Sequence, residues 1–246
     1  MPHPLIKSVK RQFSSTGQRT LEWMVATLSS LWIGGLAIAM LSLWAFAEIA
    51  EELLENEAQT FDRTVLLAIG QWRTPFLDRV AVAVTTLGDP SILTAIASGF
   101  VLVWLFQRHW KRALSLAIAL LGVSGLNLLL KHLFARSRPQ LWERVVDVRY
   151  YSFPSGHAMV SLVLYGLLGY ALARQFPRWR VGIAGGTIAI IVAIGLTRLY
   201  LGVHWPTDVI AGFAAGLVWS IACILAFEVS QNADLKTQLD RFLQKK

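Results

Sequence analysis

Cysteine, charge and regular polar stretches are all scarce in this chain. Its one cysteine, Cys223, lies inside an apolar run, which excludes an intrachain disulfide and any CxxC metal site and leaves a small buried hydrophobe. Charged residues make up 15% of the 246 residues, against about a quarter in a soluble globular chain. The shortfall, with 55% hydrophobic residues and a mean hydropathy of +0.52, points to a polytopic membrane protein. The formal charge of +8 invites a nucleic-acid reading, but the basic residues are scattered among apolar runs and form no continuous stripe, so that class is set aside. Ten tryptophans and twelve phenylalanines suit a chain whose aromatics belt two membrane interfaces.

Long apolar runs are what is present. They recur at Met24–Ala47, 91–106, 113–130, 158–173, 181–197 and 209–227. A span needs about 20 residues, which flanking residues supply where a run is short. The expectation is an all-α protein with six transmembrane helices, forming one membrane domain over residues 1–246. The first run is longer than a signal-peptide core and lacks a cleavage site, so it is read as a span. Residues 1–23 form a basic tail, and 228–246 a polar one of mixed charge.

Residues 48–89 differ in kind, with eight acidic residues against three arginines. Within them 61–72 and 75–87 read as short amphipathic helices, the second opened by Thr74 as N-cap and Pro75 in the first turn. Neither is apolar enough to span. A solvated connection and a lid over a site are both compatible with this pattern.

Lysine and arginine set the orientation. The basic turns Gln107–Arg112 and Arg174–Arg180 fall on the side of both tails, which places the termini in the cytoplasm and the acidic segment outside. The expected location is the plasma (inner) membrane. One outer loop breaks the rule: Lys131, Arg136, Arg138, Arg144 and Arg149 crowd the stretch after the third span. Lys131 and Arg138 could snorkel at a helix end, but five cations on the wrong side imply work there.

Two more clusters share that face. Phe153-Pro154-Ser155-Gly156-His157 opens the fourth span with a natural N-cap and a glycine that permits close approach, and a helix N-terminus is an anion site. Arg198 ends the fifth span, while His204 and Asp208 bracket Trp205-Pro206 at the start of the sixth. Asp208 can reach back to the imidazole and fix its tautomer, or simply cap the helix. Lys131, Arg138 and Arg198 with a helix N-terminus suit an anion of several oxygens, phosphate above all. Three cations and one carboxylate disfavour a divalent metal. Two histidines suit a nucleophile and a general acid.

Lys131-x6-Arg138-Pro139, Pro154-Ser155-Gly156-His157 and Arg198-x5-His204-x3-Asp208 together resemble the three-part signature of the type 2 phosphatidic acid phosphatase (lipid phosphate phosphatase) superfamily, over roughly residues 125–215. The third motif there commonly begins Ser-Arg; Thr197 stands before Arg198 here and keeps the hydroxyl. The resemblance implies a helical core of the acid phosphatase/vanadium haloperoxidase type and a metal-independent phosphatase without cofactor. It further implies His204 as nucleophile forming a phosphohistidine, Asp208 orienting it, and His157 as acid and then base. Lys131, Arg138, Ser155, Gly156 and Arg198 would hold the phosphoryl group. The six-span layout with an outward site is similar to that of the bacterial phosphatidylglycerophosphatases and undecaprenyl-diphosphate phosphatases within the superfamily. The implied partners are phosphatidylglycerophosphate, undecaprenyl diphosphate, phosphatidic acid or diacylglycerol pyrophosphate. A phosphotransferase with the same intermediate, and a non-enzymatic anion or lipid transporter, are the competing readings. The latter class tends to place sites at the midplane on broken, repeated helices.

Overall fold

The computed structural model describes residues 32–55, 57–142, 146, 148 and 150–244, with side chains through residue 230. The basic N-terminal tail, Arg144 and Arg149 lie outside the described residues. Among the described residues eight α-helices follow one another: α1 (Trp32–Leu54), α2 (Ala58–Gly70), α3 (Pro75–Thr86), α4 (Pro90–Phe106), α5 (Trp110–Phe134), α6 (Gly156–Gln175), α7 (Arg180–Tyr200) and α8 (Pro206–Gln244). A single 3-10 turn, Pro177–Trp179, joins α6 to α7.

Among the described residues six helical stretches are long and apolar enough to cross a membrane, with α3 and α4 counted as one. Their outward faces carry large apolar side chains such as Leu121, Val181 and Phe106. In water such faces would drive aggregation; against lipid they are the required surface. The all-helical, six-span expectation therefore holds, with several boundaries moved. The first helix runs on to Leu54, so Glu48, Glu51 and Glu52 extend it rather than begin a separate segment. The last continues without a break into the polar tail, to Gln244. The two short helices form as read, at 58–70 and 75–86. Thr74 caps α3 by accepting from the Leu77 N–H, and Pro75 occupies the first turn. At about 1.5 Å per residue neither helix is long enough to span.

α6 is the hub. It packs against α4, α5, α7 and α8, and its Ala158, Met159, Val163 and Leu164 are fully buried. Leu164 and Leu168 meet Leu93, Ala97 and Leu116 toward one end. Met159 and Val163 meet Ala119 and Val123 on the α5 side. The α6–α8 contact is close because Gly212 and Gly216 of α8, one helical turn apart, face the α6 backbone. A Cβ on Gly212 would lie 2.8 Å from the Ser155 carbonyl oxygen, and one on Gly216 3.0 Å from that of Met159.

Because α5, α6, α7 and α8 alternate in direction, one end of the bundle collects the C-termini of α5 and α7 and the N-termini of α6 and α8. The α3–α4 break at Leu87–Asp89 reaches the same end, tied there by the Tyr165 hydroxyl donating to the Leu87 carbonyl at 2.8 Å. The loop before α6 is seated by an aromatic cluster in which Phe153 packs on Phe134 of α5 and Phe46 of α1, with ring centroids 4.8 and 5.8 Å away. All three sequence clusters lie at this end.

Candidate active site

The C-terminus of α5 supplies the first cations. Lys131 is buried and donates through Nζ to the Tyr151 carbonyl at 2.6 Å. Ala135 then terminates the helix in the left-handed region, φ 44°, a conformation that costs a non-glycine residue roughly 1–2 kcal/mol. The turn swings the following residues across the bundle end. Arg138 donates through Nη1 to the Val203 carbonyl at 2.7 Å and lies 3.1 Å from His204 Nε2.

The start of α6 contributes the second element. Ser155 is fully buried as N-cap, and its own N–H donates to the Asp208 carbonyl at 2.9 Å, fastening the two helix N-termini together. Gly156 approaches Asn127 so closely that a Cβ would lie 3.0 Å from its Oδ1. His157 Nε2 lies 2.8 Å from Asp89 Oδ1. This contact depends on Gly88, where a Cβ would fall 2.9 Å from the His157 ring and 2.6 Å from Ile194. Asp89 sits at the N-cap position of α4, yet its side chain caps nothing there and turns to the histidine instead.

Arg198 comes from the last turn of α7 and is buried at 4% exposure. Its Nη1 donates to Thr85 Oγ1 at 2.7 Å, while its Nε has no hydrogen-bond partner. A buried guanidinium N–H left without an acceptor is costly, and is what a site awaiting an anion would show. His204 is 2% exposed, its Nδ1 3.2 Å from Asp208 Oδ2. The same carboxylate oxygen accepts from the Trp205 N–H at 2.9 Å, so Asp208 is both a partner of the ring and a cap.

These contacts define the tautomer. A guanidinium can only donate, so Arg138 facing Nε2 requires a lone pair there, and the ring hydrogen then sits on Nδ1, directed at Asp208. The imidazole is therefore neutral. Burial holds its pKa well below the usual histidine value, and the charges of Arg138, Arg198 and Lys131 press in the same direction. The arrangement is a buried imidazole nitrogen, held by a carboxylate and faced by three cations and a helix N-terminus, which is chemically able to act as a nucleophile.

Every residue named from the sequence motifs lies at this one end. Four participants were given no role there: Asp89 on His157, Thr85 on Arg198, and Asp62 with Arg136 behind Asp208. Three of the four come from the acidic segment. The signal for Asp62 and Thr85 was helical spacing, since Ala58, Asp62 and Leu66 share the buried face of α2, and Ala81 and Thr85 that of α3. The reading of Asp208 as the sole carboxylate of the motif cluster is thus incomplete. The hydroxyl of Thr197, counted as kept for the motif, donates to the Ile194 carbonyl at 2.6 Å within its own helix.

Comparison with known proteins identifies the family. The profile of the PAP2 superfamily matches residues 109–231. Phosphatidylglycerophosphatase B of Bacillus subtilis is 33% identical over 183 residues, which cover 70% of this chain and 86% of that protein. An undecaprenyl-diphosphatase of Sulfolobus acidocaldarius is 32% identical over 143 residues, 55% of this chain and 63% of the relative. The crystal structure of the first transmembrane PAP2 type phosphatidylglycerolphosphate phosphatase from Bacillus subtilis superposes with a TM-score of 0.70 at 27% identity, over 79% of this chain and 96% of that one. With the helical architecture and the site at one end of the bundle, these similarities establish that the chain belongs to the PAP2 superfamily and is a six-span membrane phosphatase.

Proposed function

We propose that this protein removes the terminal phosphate of a lipid phosphate or polyprenyl diphosphate through a phosphohistidine at His204, on the extracytoplasmic face of the membrane. The observation that carries the reading is the setting of His204: buried, with Nδ1 3.2 Å from Asp208 Oδ2 and Nε2 3.1 Å from Arg138 Nη1, a geometry that fits a neutral ring with its lone pair on Nε2.

In the first step Nε2 attacks phosphorus and the bond to the lipid oxygen breaks. That oxygen takes a proton from His157, replacing Asp89 as the acceptor of the Nε2 hydrogen; Asp89, its side chain 41% exposed, is free to yield the position. The imidazole becomes cationic, and Asp208 stabilises it. In the second step a water gives its proton to His157 and attacks phosphorus, breaking the P–N bond and releasing inorganic phosphate. Arg138, drawn from Nε2 to a phosphoryl oxygen, Lys131, the Nε of Arg198 and the amides at the start of α6 stabilise the charge spread over the transferring group. The similarity to phosphatidylglycerophosphatase B and undecaprenyl-diphosphatase supports a lipid or polyprenyl substrate. A site at the ends of membrane helices also lets the tails remain in the bilayer. The outward face is supported by the arginines of the opposite end, Arg108 and Arg112 around the start of α5 and Arg174, Arg178 and Arg180 around the turn from α6 to α7.

The test is His204→Ala in purified protein with a panel of lipid phosphates, together with trapping of an acid-labile, base-stable phosphoenzyme. Wild type should turn over and label. The variant should do neither, and substantial turnover by folded His204→Ala would exclude the mechanism.

A further inference from the structure

Behind Asp208 lies a row of buried charges that the reaction as written does not use. Asp208 Oδ1 accepts from Arg136 Nη1 at 2.7 Å, and Asp62 Oδ2 accepts from Arg136 Nη2 at 2.6 Å. Thr207 closes the assembly: its hydroxyl accepts from Arg136 Nη1 at 2.8 Å and donates to Asp62 Oδ2 at 2.6 Å, while its N–H donates to Asp62 Oδ1 at 2.9 Å. The guanidinium lies over the Trp205 ring, 5.5 Å from its centroid. Both carboxylates are fully buried, and the arginine side chain is 9% exposed. The three charges come from three places in the chain: α2, the turn after α5, and the first turn of α8.

A structural account covers only part of this. Asp62 satisfies an N–H at the start of α8, which an uncharged asparagine could also do through its carbonyl oxygen. Burying two carboxylates and a guanidinium is expensive, and such a set is often no more stable than an apolar replacement. Its net charge is what distinguishes it. Asp62, Arg136 and Asp208 together carry one negative charge, and His204 acquires one positive charge when Nε2 is phosphorylated and Nδ1 keeps its hydrogen. Without Asp62 the row is neutral, and the cationic imidazole forms with no net negative charge on its Nδ1 side. Without Arg136, Asp62 and Asp208 lose the cation between them, and Asp208 loses the donor that aims its other oxygen at Nδ1.

Building on the reading of His204 as nucleophile, we propose that Asp62 and Arg136 are positioning residues for phosphoryl transfer: the row Asp62–Arg136–Asp208 holds the imidazole in its attacking orientation and supplies the negative charge that its phosphorylated form requires. The amphipathic helix α2 is thereby part of the catalytic apparatus.

The experiment measures kcat and KM of purified Asp62→Asn, Arg136→Gln and the double variant, with Asp78→Asn as a control from the same acidic segment and folding followed by thermal melting. Removing the orienting carboxylate of a comparable triad costs about four orders of magnitude, so one step further back the expected losses are about 10- to 100-fold in kcat, with KM within about threefold. The double variant should recover at least about tenfold over Arg136→Gln, because removing the second carboxylate relieves the pair that Arg136 had separated. Asp78→Asn should match wild type. Folded Asp62→Asn with kcat within twofold of wild type overturns the proposal, as does a change confined to KM. Should Arg136→Gln not fold, Asp62→Asn decides alone, since asparagine keeps an oxygen for the Thr207 N–H. Active His204→Ala would instead defeat the underlying mechanism, whereas inactive His204→Ala beside fully active Asp62→Asn defeats only this inference.

Discussion

The pairing of His157 with Asp89 can be tested through the leaving group. If His157 protonates the departing oxygen, its removal should matter most when that oxygen leaves as a poor alkoxide, and least when it leaves as a stabilised phenolate. General acid catalysis contributes about 10²- to 10⁴-fold, so His157→Ala should lower kcat on a lipid phosphate by at least about 100-fold and on p-nitrophenyl phosphate by far less. Asp89 acts through the histidine, aiming its Nε2 hydrogen before the leaving oxygen takes the place of Asp89. A hydrogen bond to a charged group contributes about 1.5–3 kcal/mol, and the exposure of Asp89 discounts it to about 1.4 kcal/mol, or tenfold. Asp89→Asn should therefore lower turnover of the lipid phosphate by about tenfold and leave p-nitrophenyl phosphate nearly unchanged. The assay is phosphate release in detergent micelles, both substrates run on one preparation. Equal loss on the two substrates would refute the role of the pair in protonating the leaving group, because a misplaced nucleophile or a lost phosphate contact slows both alike.

Other outcomes follow from the same geometry. The low pKa of His204 keeps it neutral below the ordinary histidine value of about 6.5, so the acid limb of kcat/KM that it controls should lie below pH 6.5; a limb at or above that value would contradict the buried, cation-faced environment. The linkage has the same sign for stability: the unfolded histidine takes up a proton near pH 6.5 and the folded one does not, so His204 favours folding above that pH and its contribution is lost as pH falls below it. Phosphatase activity should persist in EDTA, since the phosphoryl oxygens are met by Lys131, Arg138 and Arg198; a strict divalent-ion requirement in a phosphate-release assay would refute this. Gly212→Leu should force α8 from α6 at the Ser155 carbonyl and lower the thermal midpoint along with activity, by about 1–3 kcal/mol for overpacking, which melting in detergent would register.

Much of the catalytic end was legible because its signals are local. Ser155 caps the helix it precedes, and His204 and Asp208 are one helical turn apart, so short-range geometry brings the imidazole to the carboxylate. Helix ends were less so. Glu48, Glu51 and Glu52 ended the expected first span, yet a helix tolerates glutamates once it leaves the hydrocarbon, and α1 continues through them. The polar stretch after Phe227 continues α8 for the same reason.

The acidic segment was read for composition when its content lay in spacing. Eight carboxylates suggested a solvated surface, and six of them, five glutamates and Asp78, show no contact with the site among the described residues. The two that reach it are separated from the others by position, not chemistry: Asp62 falls between Ala58 and Leu66 on the inward face of α2, and Asp89 at the break between α3 and α4. A carboxylate on the apolar side of an amphipathic helix has no solvent to face, so it needs a cation, and Arg136 was among the basic residues left without a role in the loop after α5. The surplus of basic residues in the loop after α5 points the same way. Lys131 and Arg138 sufficed for a phosphate motif, and Arg136 exceeded what the substrate needed. Two anomalies that composition treats separately, a buried acid in α2 and an extra base after α5, are thus one ion pair at 2.6 Å. The segment that reads as a lid or a spacer is anchored through that pair to the carboxylate that orients His204, so substitutions on the buried face of α2 should alter turnover even though α2 carries none of the three signature motifs.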